Sequence, residues 1–148
     1  MSLNTAHADH GVLIHAGECI ILFSDNVTVE FYGNETAEFK GSKNGRMYLT
    51  THRMIYNSKN NSDHMRSFSF PFISLQDVSV LTNINNYIFR IHFMLLTFKS
   101  GGAIEFGQAM LKAAHLGNLI FFLLFDQLLH LGPYYGTKLK RRSLLERC

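Results

Sequence analysis

The chain has 148 residues, enough for one domain with a single hydrophobic core and flanking tails. Its net charge is +3, but residues 1–136 carry nine Lys and Arg against ten Asp and Glu, while residues 137–148 carry five basic residues against one acidic residue. Because the body of the chain is close to neutral, the composition argues against sequence-specific nucleic-acid binding, which normally needs clustered positive charge on a folded face.

The first part of the chain predicts two short strands. Residues 18–24 and 27–32 are strand-like runs separated by Asp25-Asn26, which predicts a tight hairpin between them. The second run alternates apolar and polar residues, as expected for a strand with one buried face. A turn-rich loop over residues 33–46 follows and ends in Asn44-Gly45, a strong turn signal.

A second strand pair is predicted for residues 47–51 and 53–58, joined closely around His52. The next strand covers residues 66–72, where aromatic residues recur at every second position. We expect these three side chains on the buried face of a sheet: Phe68, Phe70 and Phe72.

Residues 87–98 form a long apolar and aromatic run without Gly, Pro, Asn or Asp. The run therefore predicts no turn that would divide it into two strands. Gly101-Gly102 ends it, and the following residues 103–115 predict a helix. Its apolar residues at helical spacing indicate one buried face: Phe106, Met110 and Ala113.

The helix can continue into an apolar segment at residues 116–131, the only candidate for a membrane span. Its uninterrupted apolar stretch covers only residues 119–125, whereas a bilayer-spanning helix needs roughly 20 apolar residues. We therefore predict no membrane-spanning helix here.

Three blocks of the sequence carry a family resemblance. They are FKGSKNGRMYLTTHRMIY at residues 39–56, SFSFPF at residues 67–72 with the following Asp77, and SGGAIEFGQAML at residues 100–111. With these blocks the chain resembles the N-terminal GRAM domain of the WW-domain-binding protein 2 family. The third block is the most specific of the three.

The resemblance implies a mainly β fold with a C-terminal helix: a pleckstrin-homology-like barrel or sandwich that is capped by one helix. It divides the chain into a polar arm (1–11), a GRAM domain (12–116) and an apolar, then basic tail (117–148). It also implies a non-enzymatic adaptor of cytoplasm and nucleus that acts in transcriptional coactivation through proteins of the transcription machinery and chromatin-associated contacts.

Two departures from the family pattern limit what the resemblance implies. The family binds WW domains through Pro-Pro-x-Tyr motifs in a proline-rich tail, but this chain has only two prolines, and Gly132-Pro133-Tyr134-Tyr135 lacks that motif. WW-domain binding is therefore not carried over. A Gly-rich stretch that the family has after Asn86-Tyr87-Ile88 is absent, so the barrel could lose a strand or close imperfectly.

Loop cations suggest an alternative function, a peripheral module that binds phosphoinositides. Such cations can gather an anionic headgroup through charge-assisted hydrogen bonds. The candidates are Lys40, Lys43, Arg46, Arg53 and Lys59. An ordinary solvated loop explains the same cluster, and Arg53 could instead serve the fold by bonding neighbouring carbonyl groups.

Catalysis and metal binding find little support in the sequence. No Gly-x-Ser-x-Gly motif surrounds a serine, and no phosphate-binding loop is present. His7 and His10 have a ligand-like spacing, but they lie in a polar arm without cysteine partners. We therefore predict no enzyme activity, no cofactor and no metal.

The basic end of the tail allows four interpretations, one of which is that residues 117–148 are an unselected, splice-derived read-through. The apolar segment and the cluster could lie on an anionic membrane, or the cluster could act as a nuclear import signal. Alternatively, the apolar part packs on the barrel and leaves a basic end. The residues concerned are Lys138, Lys140, Arg141 and Arg142.

Overall fold

The computed structural model describes residues 1–8, 11–33, 36–74, 79–83, 86–91 and 93–129, with backbone only at 73, 79–83, 86, 87, 89 and 117–129. The described strands are β1 (Ser2–Leu3), β2 (His7–Ala8), β3 (Gly11–Val12), β4 (Ile20–Phe31), β5 (Lys43–Thr50), β6 (Arg53–Ser58), β7 (Ser67–Pro71), β8 (Ser79–Asn83), β9 (Asn86–Ile91) and β10 (Met94–Phe98). A short 3-10 turn (Phe72–Ser74) follows β7, and helix α1 covers Ala103–Leu129.

One antiparallel sheet dominates the described structure. Its strand order is β1-β7-β6-β5-β4-β10-β9-β8, while β2 and β3 form a separate two-stranded ribbon. In the described residues β1 and β8 end the sheet without pairing to each other, so the sheet is a half-barrel. Helix α1 packs against β4, β9 and the 3-10 turn. The predicted mainly β fold with a C-terminal helix is confirmed.

Aromatic side chains line the inner side of the half-barrel. The predicted alternation in β7 is confirmed, because Phe68, Phe70 and Phe72 are all buried. The ring of Phe68 meets those of Phe31 and Phe39 edge to face, with centroids 5.2 and 5.6 Å away. Such pairs contribute about 0.5–1.5 kcal/mol beyond the burial of their area. The inner face is therefore the hydrophobic core.

Helix α1 contributes its predicted apolar face to this core. Phe106 and Met110 are fully buried, Ala113 is nearly so, and the ring of Phe106 lies 5.2 Å from that of Phe98 on β10. The helix continues through residue 129, as the apolar segment allowed. Among the described helices, none is both long and apolar enough for a membrane crossing.

The predicted hairpin at Asp25-Asn26 is wrong, because β4 is one continuous strand through these residues. Its pairing with β5 shifts register between Ser24 and Val27, which marks a β-bulge. Asn26 takes a positive φ of 55° at the bulge, a conformation that asparagine tolerates better than most residues. The polar pair bends the strand and does not reverse it.

The predicted turn at Asn44-Gly45 is also wrong, because both residues lie inside β5. Gly45 pairs with Val27 and Ser58, directly beside the bulge. A Cβ atom at Gly45 would lie 2.7 Å from the Tyr56 ring and would also collide with the carbonyl of Asn57. The glycine permits close packing of strands and does not mark a turn.

The run over residues 87–98 is divided after all, since β9 and β10 form an antiparallel hairpin in which Ile91 pairs with Met94. The chain reverses there without a typical turn residue. Phe93 lies in the turn, and its ring packs near Phe68 and Phe70, with centroids 6.3 and 6.1 Å away. Tertiary packing of an aromatic residue thus holds a turn that local propensity did not predict.

The N-terminal segment, expected as a polar arm, extends the edge of the sheet through β1 and then packs on the outer face of the sheet. Ser2–Leu3 pairs with β7, and Ala6 is buried against Tyr48 and Ile55. The backbone N–H of Ala6 donates to the hydroxyl of Ser67 at 3.1 Å. A second, smaller apolar cluster therefore lies on the side of the sheet opposite the main core.

Candidate functional site

Three of the predicted loop cations form ion pairs within the protein. Lys43 Nζ lies 2.6 Å from Asp63 Oδ1, Arg46 Nε lies 2.6 Å from Asp25 Oδ1, and Arg53 Nε lies 2.9 Å from Glu18 Oε1. The pairs stand at separate places along β5 and β6. Lys43 and Arg53 are thereby largely neutralised and withdrawn from solvent.

The Glu18–Arg53 pair is part of a buried polar cluster. Arg53 donates to both carboxylate oxygens of Glu18, and Thr50 Oγ1 and the backbone N–H of His15 donate to the same carboxylate. Although burial raises the pKa of Glu18, these hydrogen bonds outweigh it and lower the pKa to about 2. The cluster ties the segment before β4 to the β5–β6 hairpin.

Arg53 therefore serves the fold, as one interpretation of the sequence held. Besides Glu18, its guanidinium donates to the backbone carbonyl of Leu13 at 3.2 Å and to Ser69 Oγ at 3.1 Å. Its side chain is only 12% exposed. A guanidinium occupied in this way has little capacity left for an external ligand.

Arg46 combines an ion pair with aromatic stacking. Its Nε and Nη2 atoms donate to the two oxygens of Asp25, at 2.6 and 3.0 Å. The guanidinium also lies 4.6 Å from the ring centroid of Phe23 and donates to the hydroxyl of Tyr48 at 3.4 Å. The hydrogen bond from Arg46 holds the pKa of Asp25 below its usual range. Unlike Arg53, this residue remains accessible, with its side chain 40% exposed.

A polar cleft opens beside Arg46 on the outer side of the sheet. Its volume is about 300 Å³. Three cationic residues and one carboxylate are among its lining residues: Arg46, Lys59, Arg66 and Asp25. The described lining thus has a net charge of +2. We call this site the cationic cleft.

The N-terminal segment forms the other wall of the cationic cleft. Ala8 and Gly11, from the β2–β3 ribbon, line it opposite the strands. Asn57 Nδ2 on β6 donates to the carbonyl oxygen of Gly11 at 2.6 Å and so fixes this wall. The cleft exists because the ribbon packs on the sheet.

The five predicted loop cations therefore divide into three groups. Arg46 and Lys59 line the cationic cleft, Lys43 and Arg53 are held in ion pairs elsewhere, and Lys40 is exposed outside the cleft lining. Sequence reasoning missed Arg66. The pairing of β6 with β7 brings Arg66 next to the end of β6, where the backbone N–H of Ser58 donates to the carbonyl oxygen of Arg66 at 2.8 Å. Only this strand pairing could have shown that Arg66 belongs to the cleft.

The remaining predicted residues are not among the described lining residues of this site. The basic tail residues Lys138, Lys140, Arg141 and Arg142 lie outside the described residues, as does His10. His7 Nδ1 lies 3.4 Å from Ser67 Oγ. In the part of the chain that the structure describes, no group of His, Cys, Asp or Glu side chains could hold a metal ion.

Apolar side chains are exposed around the start of β4. Ile20, Ile21 and Phe23 are between 42% and 53% exposed, and Leu13 and Ile14 in the preceding segment are exposed to a similar degree. We call these five residues the β4 patch. Single exposed apolar residues are ordinary, whereas contiguous groups of them are typical of interaction surfaces.

Comparison with known proteins identifies the domain. The family model of the GRAM domain matches residues 7–116. WW domain-binding protein 2 of Rattus norvegicus is 36% identical over 135 residues, and that of Homo sapiens is 37% identical over 131 residues. Both alignments cover 77% of this chain and 50% of the relative, so the chain spans about half the length of these relatives.

Among solved structures, the Vps36 N-terminal PH domain is similar in fold. The TM-score is 0.60 at 19% sequence identity, and the match covers 78% of this chain and 93% of that domain. At this identity the likeness establishes the fold alone, which is pleckstrin-homology-like as the family resemblance implied. Together with the family match over most of the chain, the resemblance read from the three sequence blocks is confirmed: the chain belongs to the GRAM domain family.

Proposed function

We propose that this protein is a non-enzymatic adaptor domain that works by binding other proteins, with a role in transcriptional coactivation in the cytoplasm and nucleus. The similarity to WW domain-binding protein 2, a relative named for binding, supports an adaptor role. The pleckstrin-homology-like half-barrel supports it further, because much of its inner side is occupied by buried side chains of the core.

The β4 patch is the observation that carries the proposal. Ile21 and Phe23 keep about half of their surface in water although the core lies on the other side of the same strand. Burying such apolar surface against a partner is favourable by roughly 25 cal/mol per Å². A protein partner with an apolar surface gains this energy, whereas a small polar ligand does not.

A tethered reporter assay tests the proposal. The full chain is fused to a heterologous DNA-binding domain, and transcription of a reporter is measured in cells. We expect activation by the native chain and loss of most of it in the Ile21→Asp/Phe23→Asp double variant. Leu111→Asp, which also places a carboxylate at an exposed apolar position, is the matched control on α1.

Equal expression of all variants is checked by immunoblot. If the Ile21→Asp/Phe23→Asp variant still activates the reporter fully, the β4 patch is not the surface that binds the partner. If the native fusion does not activate the reporter at all, the coactivator role itself is contradicted.

The alternative of a peripheral lipid-binding module is favoured by one observation, the cationic cleft. Lipid binding cannot depend on all five predicted cations acting together, since Lys43 and Arg53 are held in ion pairs away from the cleft. Sedimentation of the chain with anionic vesicles supports this alternative, and recovery with nuclear transcription factors supports the adaptor.

A further inference from the structure

We propose that the first half of β4, residues 20–24, is a docking edge for an extended peptide segment of a protein partner, which adds to the sheet as an antiparallel strand. The segment that fits carries acidic residues followed by apolar residues at alternate positions. This inference rests on the proposed adaptor function and names the kind of partner that the β4 patch binds. Its basis is an unpaired strand edge, exposed apolar side chains beside it and two cations at its end.

The first half of β4 has a neighbouring strand on one side only among the described residues. Residues 20–24 lie beside β5, whereas β10 pairs with β4 only from Val27 onward. After Phe98, Gly101 and Gly102 take positive φ values of 78° and 74°, and the chain turns away into α1. No other described backbone group bonds to residues 20–24, so the N–H and C=O groups on that edge are left for a partner.

The composition of this edge suits a binding role. Exposed edge strands usually carry a charge or a proline that blocks pairing with other chains. Residues 20–24, IILFS, contain neither. Leu22 packs against the main core, whereas its neighbours Ile21 and Phe23 are 47% and 53% exposed. An added strand covers these two side chains with its own apolar residues and gains main-chain hydrogen bonds at the same time.

Two cations mark one end of this edge. Lys59 Nζ donates to Asn26 Oδ1, and the backbone N–H of Lys99 donates to the carbonyl oxygen of Asn26 at 3.3 Å. Both lysines are exposed, and neither has a carboxylate partner in the described part of the chain. The neighbouring carboxylate of Asp25 is held by Arg46. Acidic groups on a partner therefore find unbalanced positive charge at this end of the edge.

The direction of the added strand follows from the sheet and from these charges. Every strand pair in the described structure is antiparallel, and antiparallel pairing is slightly more stable per residue than parallel pairing. A partner strand that runs antiparallel to β4 begins beside Asn26 and ends beside Ile20. Its acidic residues therefore come first in sequence, and the apolar residues that contact Ile21 and Phe23 follow.

Peptide binding to the full chain tests the edge. The probe is a capped, fluorescently labelled peptide, Asp-Asp-Val-Thr-Val-Thr-Val, whose valines share one face of a strand. We expect saturable binding by fluorescence anisotropy and backbone amide NMR shifts centred on residues 20–24. The reversed peptide Val-Thr-Val-Thr-Val-Asp-Asp has the same composition and should bind more weakly, because an antiparallel strand then carries its acidic residues to the end without the lysines. No saturable binding, shifts centred elsewhere, or equal affinity of the two peptides overturns the proposal.

Alternate N-methylation of the probe separates strand addition from simple apolar contact. Methyl groups on the amides that face β4 remove main-chain donors and block close approach, whereas methyl groups on the intervening amides face solvent. One methylated set should therefore lose about tenfold or more in affinity, and the other should bind like the unmodified probe. Equal affinity of the two sets contradicts strand addition. This measurement uses the native chain and does not depend on the folding of a variant.

Charge reversal tests the two lysines. Lys59→Glu/Lys99→Glu should weaken binding of the probe about tenfold, and it should bind the peptide Lys-Lys-Val-Thr-Val-Thr-Val more tightly than the native chain does. The matched control Lys40→Glu/Lys112→Glu reverses the same charge at two other exposed positions and should bind the original probe as the native chain does. Equal weakening in the control and in the edge variant contradicts the charge match.

Two further results distinguish this inference from the adaptor function. If Ile21→Asp/Phe23→Asp abolishes reporter activation but the probe does not bind, the adaptor role stands and strand addition fails. If the probe binds at residues 20–24 but the native fusion does not activate the reporter, strand addition stands and the coactivator role fails. Sedimentation velocity tests the other occupant: a dimer that the probe does not dissociate assigns the edge to a second copy of the chain and contradicts the proposal.

Discussion

The two faces of the sheet formed by β4 to β7 are built on different physical principles. The inner face buries aromatic and aliphatic side chains such as Phe70 and Met47 against helix α1 and β10. The outer face carries ion pairs, a small apolar cluster around Ile55, and the cationic cleft. The inner face thus supplies most of the stability, and the outer face supplies the surfaces that other molecules can reach.

The two faces hold their side chains in place by different interactions. On the inner face the hydrophobic effect that drives burial is non-directional and tolerates imperfect local sequence, as the turn at Phe93 illustrates. On the outer face, charged groups need specific partners, and a lost partner leaves a desolvated charge behind. Mutations on the two faces should therefore differ in both size and pH dependence.

The largest effect is expected on the inner face. Phe70→Ala should lower the free energy of unfolding by about 3–5 kcal/mol, because it removes a fully buried ring and leaves a cavity beside Phe68 and Phe93. Urea denaturation measures this loss of unfolding free energy. Phe23→Ala on the outer face is the matched control, and because that ring is 53% exposed, its loss should stay near 1 kcal/mol. Equal losses would abolish the distinction between the faces.

The next effect is expected on the outer face, at the buried polar cluster. Glu18→Gln should cost about 3 kcal/mol, because it leaves the Arg53 guanidinium largely buried without its carboxylate. Glu30→Gln, at a half-buried position without an ion pair in the described structure, should cost less than about 1 kcal/mol. A Glu18→Gln protein as stable as the native one in urea would show that Arg53 needs no counterion.

Acidic pH should reduce the stability that the Glu18–Arg53 pair contributes on the outer face. The pKa of Glu18 lies at about 2 in the folded chain against 4.5 ordinarily, so its stabilisation is complete above pH 4.5 and is lost as pH falls toward 2. Lowering the pH to about 3 should remove about 2 kcal/mol through this residue. The measurement is the stability difference between native and Glu18→Gln proteins across this range. A difference that stays constant with pH contradicts the assignment.

A comparable effect is expected where the strands approach most closely. Gly45→Ala should cost about 1–3 kcal/mol, because its Cβ would press on the Tyr56 ring and on the backbone of β6. The shift in thermal unfolding measures it. Gly11→Ala is the control, since a Cβ there meets no atom within 4 Å and its φ is not positive. Comparable losses at both glycines would refute the packing explanation.

The inner face could be read from the sequence because its patterns are local. Period-two phenylalanines in β7 and the helical spacing of Phe106, Met110 and Ala113 each predicted a buried side, and each is buried. The two wrong turns, at Asp25-Asn26 and Asn44-Gly45, have a common origin. Both polar pairs lie where β4 and β5 accommodate a bulge, and this depends on pairing between distant residues.

The candidate site was predicted only in part, for the same reason. Charge along the chain identified Arg46 and Lys59, but Arg66 joins them only through strand pairing. The partners that neutralise Lys43 and Arg53 are 20 and 35 residues away in sequence. No local spacing reveals which cations are paired and which remain available to a ligand.

The bulge residue Asn26 has a practical consequence for producing the protein. Asn26, Val27 and Thr28 form an acceptor sequence for N-linked glycan, which a secretory pathway can modify. Yet the side-chain amide of Asn26 donates to Ser100 Oγ at 2.7 Å and Thr28 is buried, so a sugar there would pull β4 away from the start of the helix. Expression in bacteria avoids that modification and preserves the junction.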